Sequence, residues 1–199
     1  GISGINEESF IVIWTTTPWT LPSNRSVAIK KDLNYVLVSE GNENYIVAEN
    51  LLEKFKERIE LDLKKLSQCS GEKLINLEAQ HPFLNNKIKV IDSDHVTDDS
   101  GTGCVHIAPA HGVEDFELGK KYNLEVINPI QSNGVFSGFP EELNGIHIYK
   151  LDEHIISILV REKRLLSEKK FKHSYPHCWR TKTPLIYRAT PQWFVSMHK

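Results

Sequence analysis

The chain is punctuated too often to be anything but strand-rich. Short runs of β-branched and aromatic residues recur at 10–13, 26–29, 35–38, 45–47, 74–77, 87–91 and 104–108, then at 126–130, 134–136 and 146–149. Each is too short for a helix, and Gly, Pro, Asn or Asp follows most of them, which predicts strands joined by turns. Gly41-Asn42-Glu43-Asn44 predicts a hairpin connection. Helical spacing occupies only three stretches. Residues 48–58 lead with Leu51, Leu52 and Phe55, and residues 112–122 follow a proline. Residues 151–166 place Leu151, Ile155, Ile158, Leu159, Leu165 and Leu166 on one stripe. Many short strands with a few helices predict an α+β fold, rich in β-barrel, with the helices packed outside.

Two stretches carry chemistry. The first, Trp14-Thr15-Thr16-Thr17-Pro18-Trp19-Thr20-Leu21-Pro22-Ser23-Asn24, follows the strand-like run at 10–13. Pro18 has no N–H for a ladder and biases Thr17 to extended backbone, so the strand should end there. Alternation along that strand would put Thr15 and Thr17 on one face and Thr16 on the other. The second stretch, residues 101–116, runs Gly-Thr-Gly-Cys-Val-His-Ile-Ala-Pro-Ala-His-Gly-Val-Glu-Asp-Phe. A strand over 104–108 would share one face among Cys104, His106 and Ala108, small neighbours that leave room beside the imidazole. Pro109 stops it, and a helix starts near Gly112. His111 and Asp115, four apart, should meet on one face near its N-terminus. Two imidazoles and a carboxylate at a strand–turn–helix corner are a common way to build a site.

Composition narrows the rest. A net charge of −2 over 199 residues gives no global basic field. The basic run Arg161, Lys163, Arg164, Lys169, Lys170 and Lys172 reads as a solvated face. Cys69, Cys104 and Cys178 are few and far apart, which fits a reduced, cytoplasmic setting. His177-Cys178 lacks a CxxC partner, and Asp92, Asp94, Asp98 and Asp99 lack EF-hand spacing, so no metal is expected. No apolar run is long enough to span a bilayer, so no membrane partner is expected. The absent initiator Met and the apolar end at 193–199 read as a fragment of a larger protein.

Taken together, residues 14–24 and 101–116 closely resemble the inserted editing domain (connective peptide) of isoleucyl-tRNA synthetases. The Thr-Pro-Trp-Thr-Leu-Pro peptide resembles the isoleucyl version of a threonine-rich peptide that usually reads Thr-Thr-Arg-Pro in valyl and leucyl enzymes. Residues 101–116 resemble the GTGxVHxAPxHGxxDF element. The end of the chain, from 174, resembles the segment returning to the catalytic core. The resemblance divides the chain into an editing domain at 1–172 and a return segment at 173–199. It implies hydrolysis by water of the ester in valyl-tRNA charged on the isoleucine tRNA, with valyl-adenylate a further substrate, and exclusion of isoleucine by size. The alternative is a module that only binds the tRNA acceptor end.

Roles follow by position. Asp115 would hold the substrate α-ammonium, and His106 would gate the side chain. Thr15, Thr16 and Thr17 would bind the terminal adenosine and position the ester, making them and Asp115 the catalytic set. Trp14, Thr20, Asn24 and His111 complete the substrate-binding set. Cys104 lies two residues from His106 but does not read as an activated nucleophile. The resemblance implies no cofactor for this domain, with ATP and Mg belonging to the full-length synthetase, whose HIGH and KMSKS signatures are missing here. Its partners would be the isoleucine tRNA and the rest of the synthetase, in a monomer.

Overall fold

The computed structural model describes residues 2–169 and 174–197. Two four-stranded mixed sheets face each other. The first has order β1 (Ser9–Ile11), β4 (Glu43–Ala48), β3 (Asn34–Glu40), β5 (Lys64–Ser70). The second has order β6 (Glu78–Gln80), β7 (Lys87–Asp92), β2 (Ser26–Ile29), β8 (Val105–Ile107). The fold is α+β as the pattern predicts, but the sheets remain separate and do not close into a barrel.

Strand alternation explains why both faces of these sheets are apolar. In β3, Tyr35 and Leu37 point between the sheets, where they meet Val27 and Ile29 of β2 and Ile88 and Val90 of β7. Val36 and Val38 point the other way, with Val47 of β4, onto α1 (Leu52–Ile59) through Leu52 and Phe55. On the second sheet, Ala28, Ile91 and Ile107 pack against Leu118 of α2 (Val113–Tyr122). The layers therefore run helix, sheet, sheet, helix. The fully apolar Tyr-Val-Leu-Val of β3 follows from having a layer on each side. The longest helix, α3 (Ile148–Arg161), buries Leu151, Ile155, Ile158 and Leu159 against Trp19, Leu21, Ile130 and Phe136.

Gly103 is the seam between the sheets. Its φ is +74°, and a Cβ there would stand 2.3 Å from Ala48 Cβ at the end of β4. Ala48 N–H donates to Thr102 O at 2.9 Å, and Tyr35 Oη donates to Gly103 O at 2.7 Å. Only a glycine permits that approach.

Several elements differ from the sequence pattern. Residues 74–77 are the end of a 3-10 helix (Gly71–Leu74) and a turn, and the strand begins at Glu78. β5 has no signal in the sequence because Lys64–Ser70 lies at the sheet edge, mostly exposed and polar, and buries only Cys69 in the core. The runs at 126–130, 134–136 and 146–149 form only isolated bridges, Ile130 to Phe136 and Val135 to His147. Ile130, Phe136 and Ile146 pack with α3 instead of into a sheet, Val126 stays exposed, and Ile148 and Tyr149 open that helix. Leu165 and Leu166 lie beyond it. Arg161 forks onto Glu142 with nitrogen–oxygen distances of 2.9 and 2.6 Å, and Lys169 faces Glu60 at 3.6 Å. These two members of the basic run thus meet carboxylates. Lys170, Lys172 and the 172/173 boundary lie outside the described residues.

Candidate functional site

The strand-like run at 10–13 ends as β1 at Ile11, parallel to β4, with one more bond from Val12 N–H to Ile46 O at 3.2 Å. Residues 14–17 leave the sheet, and Pro18 starts a 3-10 helix, Pro18–Ser23. A proline suits such a start because its missing N–H would find no partner within the helix. Thr15–Thr17 is therefore not a strand end, as expected, but a turn made by its own hydroxyls. Thr17 N–H donates to Thr15 Oγ1 at 3.1 Å, and the two Oγ1 atoms are 3.4 Å apart. Trp19 N–H donates to Asp152 Oδ1 of α3 at 2.9 Å, which fixes the 3-10 helix to the helix behind it. Burial holds the Asp152 carboxyl above its usual range.

Opposite this peptide, β8 carries His106, and the chain turns through Pro109 into α2, capped by Gly112. A cavity of about 350 Å³ opens between the two. Trp14, Thr15, Thr16, Thr17, Thr20, His106, His111 and Asp115 all line it. The structure thus brings together eight of the nine residues proposed from sequence. The ninth, Asn24, is buried outside the lining, where its Oδ1 accepts Ser26 N–H at 3.2 Å. His95, Thr97, Ser100 and Thr102 also line the cavity, unforeseen from sequence. Their polar loop reads as plain solvated chain, and only Gly101 and Gly103 hint that backbone comes close there.

His106 is buried, and its Nε2 lies 2.7 Å from Thr20 Oγ1. Thr20 Oγ1 in turn donates to Thr17 O at 2.9 Å. Desolvation, reinforced by the nearby imidazoles of His81 and His111, pushes the His106 pKa down to about 4, so the ring is neutral near pH 7.

His111 does not meet Asp115 on a helical face, because it precedes the Gly112 cap and so lies outside α2. Its Nδ1 donates to Tyr187 O at 3.0 Å, its Nε2 takes the Ser23 hydroxyl at 2.9 Å, and the Trp19 ring stands edge-on 4.8 Å away. Burial lowers its pKa, opposed by the bond to Tyr187 O. The segment around Tyr187 is tied in further by Ala189 N–H to Ala110 O at 2.7 Å, Asn128 Nδ2 to Ala189 O at 2.8 Å and Arg188 Nη1 to Ile130 O at 2.7 Å.

Asp115, in the first turn of α2, accepts Ala108 N–H on Oδ2 at 2.8 Å. Burial raises its pKa, partly offset by that bond. Among the described residues it has no ion-pair partner. A half-sealed carboxylate with one neutral donor and no cation is suited to a cationic ligand, which would relieve its desolvation cost. Cys104 lies fully buried, with its thiol pKa pushed up to about 12 by desolvation, which fits packing and not nucleophilic attack. Among the described residues no group of three His, Cys, Asp or Glu could hold a metal ion, and no helix is long and apolar enough to cross a membrane.

A second cavity of about 260 Å³ lies behind the threonine peptide. Thr16 and Thr17 line both cavities, and Trp19, Tyr149, Asp152 and Tyr175 line only the second. The three threonines are thus inequivalent, as alternation anticipates, though the division is Thr15 against Thr16 and Thr17.

Residues 3–143 match the family described as "Leucyl-tRNA synthetase, editing domain", so the chain belongs to that editing-domain family. In sequence it is similar to isoleucine–tRNA ligases. It is 52% identical over 190 residues to that of Teredinibacter turnerae, covering 95% of this chain and 20% of that protein. It is 48% identical over 200 residues to that of Francisella philomiragia, covering all of this chain and 21% of that protein. The chain thus spans about a fifth of the length of the curated relatives it matches. In fold it is similar to the crystal structure of GlLeuRS-CP1 (TM-score 0.67, 16% identity, 81% of this chain and 85% of that one). It is also similar to the editing domain of the P. knowlesi cytosolic leucyl-tRNA synthetase (TM-score 0.59, 11% identity, 80% and 86%).

Proposed function

We propose that this editing domain hydrolyses the ester of valyl-tRNA mischarged on the isoleucine tRNA, with valyl-adenylate as a further substrate. The observation that carries the reading is Asp115, a half-buried carboxylate with no ion-pair partner among the described residues, in the wall of a cavity shared with Thr15, Thr16 and Thr17. Every aminoacyl ester presents an α-ammonium that such a group would pair with. Held there, the ester would lie among the threonine hydroxyls, and a water placed beside it would attack the carbonyl. The neutral, buried His106 would bound the amino-acid side chain by bulk. Such a second site is needed because one methylene in an apolar pocket is worth only about 1–3 kcal/mol, a limit for which isoleucine against valine is the standard illustration. The isoleucine-ligase relatives support the choice of amino acid. In the same reading residues 173–199 lead back to the synthetase core, and ATP and magnesium serve that core.

The test is deacylation of valyl-tRNA and isoleucyl-tRNA, both on the isoleucine tRNA. The domain should release valine and spare isoleucine. His106→Ala should extend hydrolysis to isoleucyl-tRNA by about tenfold or more. No release of valine at high protein concentration would favour a module that only binds the acceptor end.

A further inference from the structure

The bond between the two pocket walls has a direction. Thr20 has one hydroxyl proton and two acceptors in reach, Thr17 O at 2.9 Å and His106 Nε2 at 2.7 Å. Sending it to Nε2 would leave the imidazole proton on Nδ1. That atom is sealed from solvent and has no partner among the described residues. Sending it to Thr17 O, which also accepts Thr20 N–H at 3.1 Å, lets Nε2 keep its proton and donate to Thr20 Oγ1. Every donor is then met, and only a lone pair is not. Buried N–H groups without acceptors are rarer than acceptors without donors.

We propose that Thr20 is a positioning residue that holds His106 in the Nε2–H tautomer, leaving Nδ1 as an acceptor-only atom sealed within the wall. The hydroxyl does this through Thr17 O, so the gate's protonation pattern depends on the fold of the threonine peptide. Tautomers are commonly set this way, by the partner of the opposite ring nitrogen. Under the editing reading, on which this consequence rests, the ring that bounds the amino-acid side chain is held in one orientation, with its N–H spent on Thr20 and no proton left to offer a ligand. Thr20 therefore acts through His106, fixing the protonation and orientation of a ring that lines the cavity.

The test uses the chain labelled with ¹⁵N-histidine at pH 7, with His106 assigned by its loss in His106→Gln. Two-bond ¹H–¹⁵N correlations should show Nε2 protonated and Nδ1 bare. Thr20→Val, which keeps the shape and removes the hydroxyl, should turn this into a mixed or reversed pattern, and Thr20→Ser should restore it. A wild-type His106 protonated on Nδ1 would overturn the proposal, as would an unchanged pattern in Thr20→Val. If Thr20→Val fails to fold, the wild-type spectrum still decides. In deacylation of valyl-tRNA, Thr20→Val should lose about tenfold in kcat with a smaller change in KM, and Thr20→Ser should recover most of it. Absence of deacylation in every form would defeat the editing reading, while the tautomer would still be decided by the spectra.

Discussion

The two walls of the cavity are built in opposite ways. The strand–turn–helix wall, from Gly101 to Asp115, borrows its geometry from the sheets. β8 pairs with β2, Thr102 O receives Ala48 N–H, and Asp115 returns a bond to Ala108 N–H. The threonine wall leaves its sheet after Val12 and holds itself by hydroxyls, Thr15 to Thr17 and Thr20 to Thr17 O, plus one carboxylate behind it, Asp152. A wall held by backbone ladders resists local change. One held by side-chain hydroxyls can be altered one atom at a time. Ligand-facing groups therefore double as structural groups on both sides, but the cost of losing them should differ.

The largest effect should come from Asp115. Asp115→Asn keeps an acceptor for Ala108 N–H and removes the charge. Asp115→Ala removes both. Both variants should lose valyl-tRNA hydrolysis by about a hundredfold or more. Only the alanine variant should also lose stability, by about 2 kcal/mol in denaturant titration, because it strands a buried N–H. Full activity in Asp115→Asn would refute the ammonium role. Next is the seam under the same wall. Gly103→Ala puts a Cβ against Ala48 Cβ at positive φ, and should cost about 3 kcal/mol. Ala48→Gly in the same chain should return part of it by removing the facing methyl, and a double variant no better than the single would place the cost in backbone strain alone. The smallest effect should be Thr15→Val, which removes the acceptor for Thr17 N–H on a half-exposed turn. Its stability should fall by about 1 kcal/mol or less. A loss as large as that of Gly103→Ala would mean the threonine wall is tied to the core after all, and the contrast between the walls would collapse.

How far the sequence could be read follows the same division. β2, β3 and β4 are legible because successive residues bury on both faces, and β7 because Ile88 and Val90 alternate with exposed Lys87 and Lys89, so composition or period points to strand. The corner at 104–116 was legible because proline and glycine punctuate it. The spacing of His111 and Asp115 misled because a four-residue interval means a shared face only inside a helix, and Gly112 caps α2 after His111. The runs at 126–136 misled because apolar β-branched residues also suit irregular chain buried under a helix. β5 was hidden since a polar edge strand carries no period at all. Within the site, a residue type such as His106 could be singled out, but the long-range pairing of Thr20 with His106 leaves no mark in local pattern.

The clasp at His111 bears on the order in which the molecule is assembled. One imidazole joins Ser23, 88 residues upstream, to Tyr187, 76 residues downstream. The β3–β4 hairpin closes across a turn of a few residues and can form as soon as it leaves the ribosome, whereas contacts of such high sequence separation wait for the chain and for the entropy of closing large loops. In a chain made from its N-terminus, the sheets can stand before the clasp exists. The pocket wall is then complete only after residue 187 has emerged, which makes the cavity one of the last features of the domain to reach its final form.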